Sequence, residues 1–148
     1  MKPFCEVIAF EVLPAVRAMV ARQLMEKYKV SQVRAARLIG VSQPAISQYK
    51  RDLRGYRTGL FKNNPSLVAM VERIAEGLAS GEIKDMESTL SFCKLCKEIR
   101  FSGVGCELHG ERDASVRQCN ICIENPGFYG KAPEKNRAMG RIKKLTKF

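Results

Sequence analysis

SQVRAARLIGVSQPAISQYK, residues 31–50, decides how the rest of the chain is read. Ser31 is a good N-cap residue, because its hydroxyl can accept from an orphan amide of a first helical turn. Val33, Ala36 and Ile39 recur at helical spacing, so the stretch predicts a helix over Gln32 to Ile39. Gly40 follows, where the chain must turn through a left-handed conformation that glycine adopts cheaply. Val41 is expected to plug the angle between two helices. Ser42 caps the second helix, and Pro44 stands in its first turn, where a missing N–H costs nothing. Ile46 points back to the core, and Ala36 is small enough to let the helices approach. The pattern is a helix-turn-helix.

Charge points to a polyanionic partner. The 148 residues carry a net charge of +11, which suits nucleic acid or an anionic surface. The excess is unevenly placed. Residues 31–62 set Arg34, Arg37, Lys50, Arg51, Arg54, Arg57 and Lys62 against Asp52 alone. Residues 131–148 set Lys131, Lys135, Arg137, Arg141, Lys143, Lys144 and Lys147 against Glu134. Between them, residues 64–92 are acidic: Glu72, Glu76, Glu82, Asp85 and Glu87 outweigh Arg73 and Lys84. Positive charge therefore flanks the motif, and the middle faces something else.

Ala36, Gly40, Val41 and Ile46 stand at the four positions that define the turn. The segment resembles the Cro/phage-repressor class of helix-turn-helix proteins. The whole chain is similar to archaeal predicted transcriptional regulators in which such a domain precedes a cysteine-bearing segment. The resemblance implies a mostly α, repressor-like five-helix domain. It also implies a second helix that reads the major groove of double-stranded DNA, and homodimers on half-sites roughly 34 Å apart. Gln43 stands at the exposed start of that helix, where this class makes base contacts. Its amide matches adenine N6 and N7. Gln48 is expected on the outward side one turn later. Pro44 suits a thymine methyl, and Ser47 a base or a phosphate. Ser31 and Gln32 match the family's phosphate anchor. Ser42, Lys50, Arg51, Arg54 and Arg57 complete the candidate DNA-binding set, the arginines as phosphate contacts.

From residue 93 the character changes. Cys93, Cys96, Cys106, Cys119 and Cys122 follow C-x2-C-x9-C-x12-C-x2-C, with His109 three after Cys106. Two CxxC pairs and a fifth cysteine are a strong metal signal, since soft thiolates hold zinc or iron–sulfur clusters. Cys93, Cys96, Cys119 and Cys122 make a zinc ribbon; Cys93, Cys96, Cys106 and His109 make a Cys3His site. Yet Lys97 to Arg100 continue a helix where a zinc knuckle wants a glycine. Four thiolates equally suit a 4Fe-4S cluster. The family resemblance leans to the cluster, as a sensor of redox state, oxygen or iron. With a cluster, His109 is a surface or second-shell residue; structural zinc and a metal-free thiol switch are the alternatives.

In chain order, Met1–Phe10 reads as an extended arm or short strand, with Cys5 a small buried residue. Pro14 opens a helix with a stripe of Leu13, Val16, Val20, Leu24 and Tyr28, packed behind the motif. Residues 51–64 read as a loop anchored by Tyr56 and Phe61. Asn64 and Pro65 start a helix with the stripe Leu67, Val71, Ile74 and Leu78, ended by Ser80-Gly81. A further helix from Glu82 to about Arg100 is expected to turn Ile83, Met86 and Leu90 inward. Asn125-Pro126-Gly127 is a turn, and the tail carries Ala138, Ile142 and Leu145 at helical spacing. The domains are expected at 1–90, 91–130 and 131–148. No signal peptide or membrane span is read, so the chain is expected in the cytoplasm. No phosphate-cradling Gly loop or nucleophile elbow speaks for an enzyme. RNA binding and electron carriage are the remaining rivals.

Overall fold

The computed structural model describes residues 3–51 and 56–125. Among them the chain is mostly helical, with no strand. It divides into two compact units, Met1–Cys96 and Lys97–Phe148.

The first unit begins where an extended arm was expected, and it begins as helix. Helix α1 spans Phe4–Val7, a π-helical turn spans Ile8–Val12, and α2 spans Leu13–Glu26. Phe4, Val7, Ile8, Glu11, Val12, Ala15 and Val16 are buried, a stripe at the helical steps of three and four. The short apolar run around Val7, Ala9 and Phe10 resembled strand alternation, but Ala9 and Phe10 both face outward. Cys5 is exposed too, not buried. The π turn has a local cause. An α-helix through Pro14 would press the proline ring on the carbonyl four residues back. Instead the Leu13 N–H donates to the Ile8 carbonyl, five residues back, and the wider turn admits the ring.

Helix α2 is the centre of this unit. It packs against α3 (Gln32–Ile39), α4 (Gln43–Lys50), a 3-10 turn at Tyr56–Phe61 and α5 (Pro65–Ser80). The expected stripe holds at Val16, Val20 and Leu24, while Leu13 and Tyr28 are half-buried. Ala15, Ala18 and Ala21 are buried as well, and these small residues let neighbouring helices come close. Burying Leu24 and Val20 stabilises the packing by about 1.5–3 kcal/mol each before entropy is counted.

Within the expected loop, Tyr56–Phe61 forms the 3-10 turn and Phe61 is buried. Asn64 precedes α5, but its side chain does not cap it. The Asn64 Nδ2 group donates instead to the Leu60 carbonyl at 3.2 Å. Leu67, Val71, Ile74 and Leu78 are buried as expected. Gly81 ends α5 at φ 82°, left-handed. Its N–H and that of Ile83 both return to the Gly77 carbonyl, at 3.1 and 3.0 Å.

Helix α6 spans Asp85–Phe101. Glu87 Oε2 accepts from the Lys84 N–H at 3.0 Å, half of a capping box that fixes its start. Its inward residues are Leu95, Ile99 and Arg100. Met86 and Leu90, expected inward, are 79% and 57% exposed.

In the second unit, Gly103 (φ 84°) turns the chain into α7 (Val104–Arg112). A 3-10 turn at Ala114–Val116 and α8 (Ile121–Glu124) follow. Asp113 Oδ1 accepts from the Ser115 N–H at 3.0 Å and starts the 3-10 turn. Leu108, Gly105 and Gly110 are buried. The turn at 125–127 lies outside the described residues beyond Asn125, as does the basic tail.

Candidate nucleic-acid interface

The α3–α4 pair is built as its sequence requires. Ser31 Oγ accepts from the Arg34 N–H at 3.3 Å, and Ser42 Oγ accepts from the Ala45 N–H at 3.4 Å. Gly40 takes φ 72° and ψ 41°, and its N–H and that of Val41 bond back to Arg37 and Ala36 carbonyls. Ala36 and Ile46 are buried, and Val41 is half-buried between the helices. The expected stripe fails at Val33, which is 53% exposed. Ala35, one turn before Ile39, is buried in its place. Sequence spacing alone does not separate these two, because both stand three or four residues from an apolar neighbour.

Helix α4 has two unlike faces. Ala45, Ile46 and Tyr49 are buried. Gln43, Pro44, Lys50 and Arg51 are exposed, and Ser47 and Gln48 are half-buried. Gln48 is therefore less open than its expected outward position. Arg34 and Arg37 are exposed on α3. Arg54 lies outside the described residues, and so does the side chain of Arg57.

Two contacts fix this face. Gln43 Nε2 donates to Gln32 Oε1 at 2.7 Å, tying the start of α4 to the start of α3. The bond uses one of the two amide hydrogens of Gln43. The other hydrogen and the Oε1 acceptor are left, which is the pair adenine N7 and N6 require. Gln32 keeps its own Nε2 group, and the Ser31 hydroxyl keeps its hydrogen; both suit a phosphate. The second contact was not read from the sequence. Arg22, from α2, donates through Nε to the Tyr49 carbonyl at 3.2 Å. A guanidinium at the last turn of α4 adds a second donor to a carbonyl that also accepts from the cap backbone, and it matches the negative end of the helix dipole. The sequence does not single it out, since α2 also carries Arg17 and Glu26.

No family model, curated protein or solved structure matches the chain. The reading of this face therefore rests on its own chemistry.

The cysteines are a separate question. Cys93 and Cys96 lie on α6, Cys106 on α7, Cys122 on α8 and Cys119 just before it. None is in a disulfide, Cys93 is exposed and the other four of the segment are half-buried. Lys97 to Arg100 do continue a helix, as read. Among the described residues, no three His, Cys, Asp or Glu side chains are arranged to hold a metal. The thiols as they stand do not fit a four-thiolate centre. One of them has a cationic neighbour: Arg100, nine-tenths buried, donates through Nη1 to Cys122 Sγ at 3.7 Å. His109 is half-buried on α7.

No helix among the described residues is long and apolar enough to cross a membrane.

Proposed function

We propose that the chain is a sequence-specific, DNA-binding transcription regulator of the cytoplasm, acting as a homodimer through α3 and α4 as its helix-turn-helix. The observation that carries the reading is the Gln32–Gln43 bond. It holds an exposed glutamine at the start of α4 with one donor and one acceptor still open. In this reading α4 enters the major groove. Gln43 bonds adenine, Pro44 touches a thymine methyl, and Ser47 and Gln48 reach bases from the half-open flank. Ser31, Gln32, Ser42, Lys50 and Arg51 take phosphates, joined by Arg54 and Arg57. The apolar side of α4 and the Arg22 bond keep the helix from rolling away from the groove. Nothing in this machinery performs catalysis.

Selection from a random duplex library, followed by footprinting, tests it. One enriched sequence with paired half-sites is expected, with base contacts centred on adenines. An unselected pool, or tighter binding to single-stranded RNA, would falsify it.

For the cysteine segment the reading is a bound iron–sulfur cluster that reports redox state, oxygen or iron to the DNA-binding unit, with structural zinc as the alternative. It is carried by the spacing of Cys93, Cys96, Cys106, Cys119 and Cys122. Ligation would have to draw thiols together on binding, as metal sites coupled to folding do. Anaerobically purified protein should contain iron and sulfide and absorb broadly near ~400 nm, from cluster charge transfer. Colourless protein with one zinc per chain overturns the cluster.

A further inference from the structure

The first half of α6 shows water an apolar face. Met86, Leu90 and Cys93 follow one another at steps of four and three, and all three are exposed. That spacing is the seam of a two-stranded coiled coil. The inward side of the same helix is different: Leu95 is buried, and Ser88, Ser91 and Phe92 are half-buried. Thr89 lies beside the seam, and its hydroxyl is turned back to the Asp85 carbonyl at 3.4 Å. Its methyl is left outward. The Ser88 hydroxyl likewise bonds the Asp85 carbonyl, at 2.7 Å.

We propose that this face pairs with the same face of a second copy of the chain, the two α6 helices running antiparallel. The flanking charges choose both occupant and direction. Glu87 and Lys94 border the seam on one side, seven residues apart, at the position where an antiparallel pair meets its own counterpart. Leu90 of one copy then faces Cys93 of the other, Glu87 faces Lys94, and symmetry repeats each contact. A parallel pair would set Lys94 beside Thr89 of the other chain and gain no opposite-charge contact within α6. Charge complementarity thus disfavours the parallel arrangement. Cys93 packs as a small apolar residue in this pairing, which would leave the other four thiols of the segment for a metal. The proposal rests on the exposure of α6 and is independent of DNA binding.

The seam from Met86 to Cys93 spans about two turns, so a weak dimer is expected, on the order of 100 μM. The test is sedimentation equilibrium of the full chain, as purified, without DNA. Wild type should show a concentration-dependent monomer–dimer equilibrium. Lys94→Glu sets two acids together at two symmetric places and should weaken it on the order of tenfold. Adding Glu87→Lys to that variant should recover part of the lost affinity, short of all of it because Glu87 also accepts from the Lys84 N–H at the start of α6. Leu90→Glu should abolish it while far-ultraviolet circular dichroism stays unchanged, since Leu90 has no inward role. Leu90→Cys should give a covalent dimer under mild oxidation, with residue 90 joined to Cys93 by peptide mapping. A wild type that stays monomeric, or a dimer indifferent to Lys94→Glu and Leu90→Glu, overturns the pairing.

Discussion

Gln43→Ala combined with Gln32→Ala tests the DNA face most directly. Gln43 has one amide hydrogen committed to Gln32 at 2.7 Å and a donor–acceptor pair open. Its truncation removes two base bonds, about 1–3 kcal/mol, or about 5- to 150-fold in affinity for the selected duplex. Gln32→Ala removes the buttress and a phosphate contact but no base contact. The expected loss is about 0.5–1.5 kcal/mol, a few-fold. Because Gln32 acts on base reading through Gln43, the double variant should lose less than the sum of the singles. The coupling should be about 0.5 kcal/mol or more. Both residues lie at the surface, so thermal unfolding should move by no more than about 0.5 kcal/mol. The assay is fluorescence titration of the four proteins on selected and on scrambled duplex at fixed salt. Equal losses on the two duplexes would show that Gln43 does not read a base. Strict additivity would show that the Gln32 bond does not position it.

Three further outcomes follow. Gly40→Ala puts a Cβ at φ 72° in open space, so only backbone strain opposes it; stability should fall by about 1–2 kcal/mol in chemical denaturation, and an unchanged midpoint refutes the left-handed turn. Arg51→Gln removes an exposed cation beside α4 and should lower the salt dependence of binding by about 0.9 in log–log slope. Its loss should be the same on selected and scrambled duplex, and a loss confined to the selected sequence would make Arg51 a base reader. Chelation of the anaerobic protein should raise hydrogen exchange across residues 97–125 while 13–50 stays protected, and equal exchange with and without chelator removes the metal from the fold.

The sequence disclosed the parts of the fold whose signals are local. Ser31, Gly40, Ser42 and Gly81 announce caps and turns by their own conformational preferences, and the structure uses each as expected. Long stripes were legible too, as at Leu67 to Leu78. Short ones were not. Phe4 to Val12 carries a helical stripe, but over a few residues a buried helix and a half-buried strand look alike, and the proline at 14 suggested a beginning rather than a π turn. Met86 and Leu90 misled for another reason. Periodicity finds the apolar face of a helix without saying what covers it, and here α6 buries Leu95 and Ile99 on a different side.

At the candidate site, composition identified the residues but not their geometry. The amide of Gln43 was legible as a base reader; its bond to Gln32 was not, because eleven residues of chain separate them and only the turn at Gly40 closes the distance. Arg22 was invisible for the same reason. The cysteines are the opposite case. Their spacing is the plainest chemical signal in the chain, yet spacing brings sulfurs together only if the backbone between them bends. Here α6 runs straight through Lys97 to Phe101, and α7 carries Cys106 within its first turn. Among the described residues of 97–125, Ile99, Arg100, Gly105, Leu108 and Gly110 are buried. Arg100 Nη1 donates to Cys122 Sγ at 3.7 Å and ties α6 to α8 within the second unit. On the proposed reading, drawing these soft donors together on a metal would make binding and folding one event.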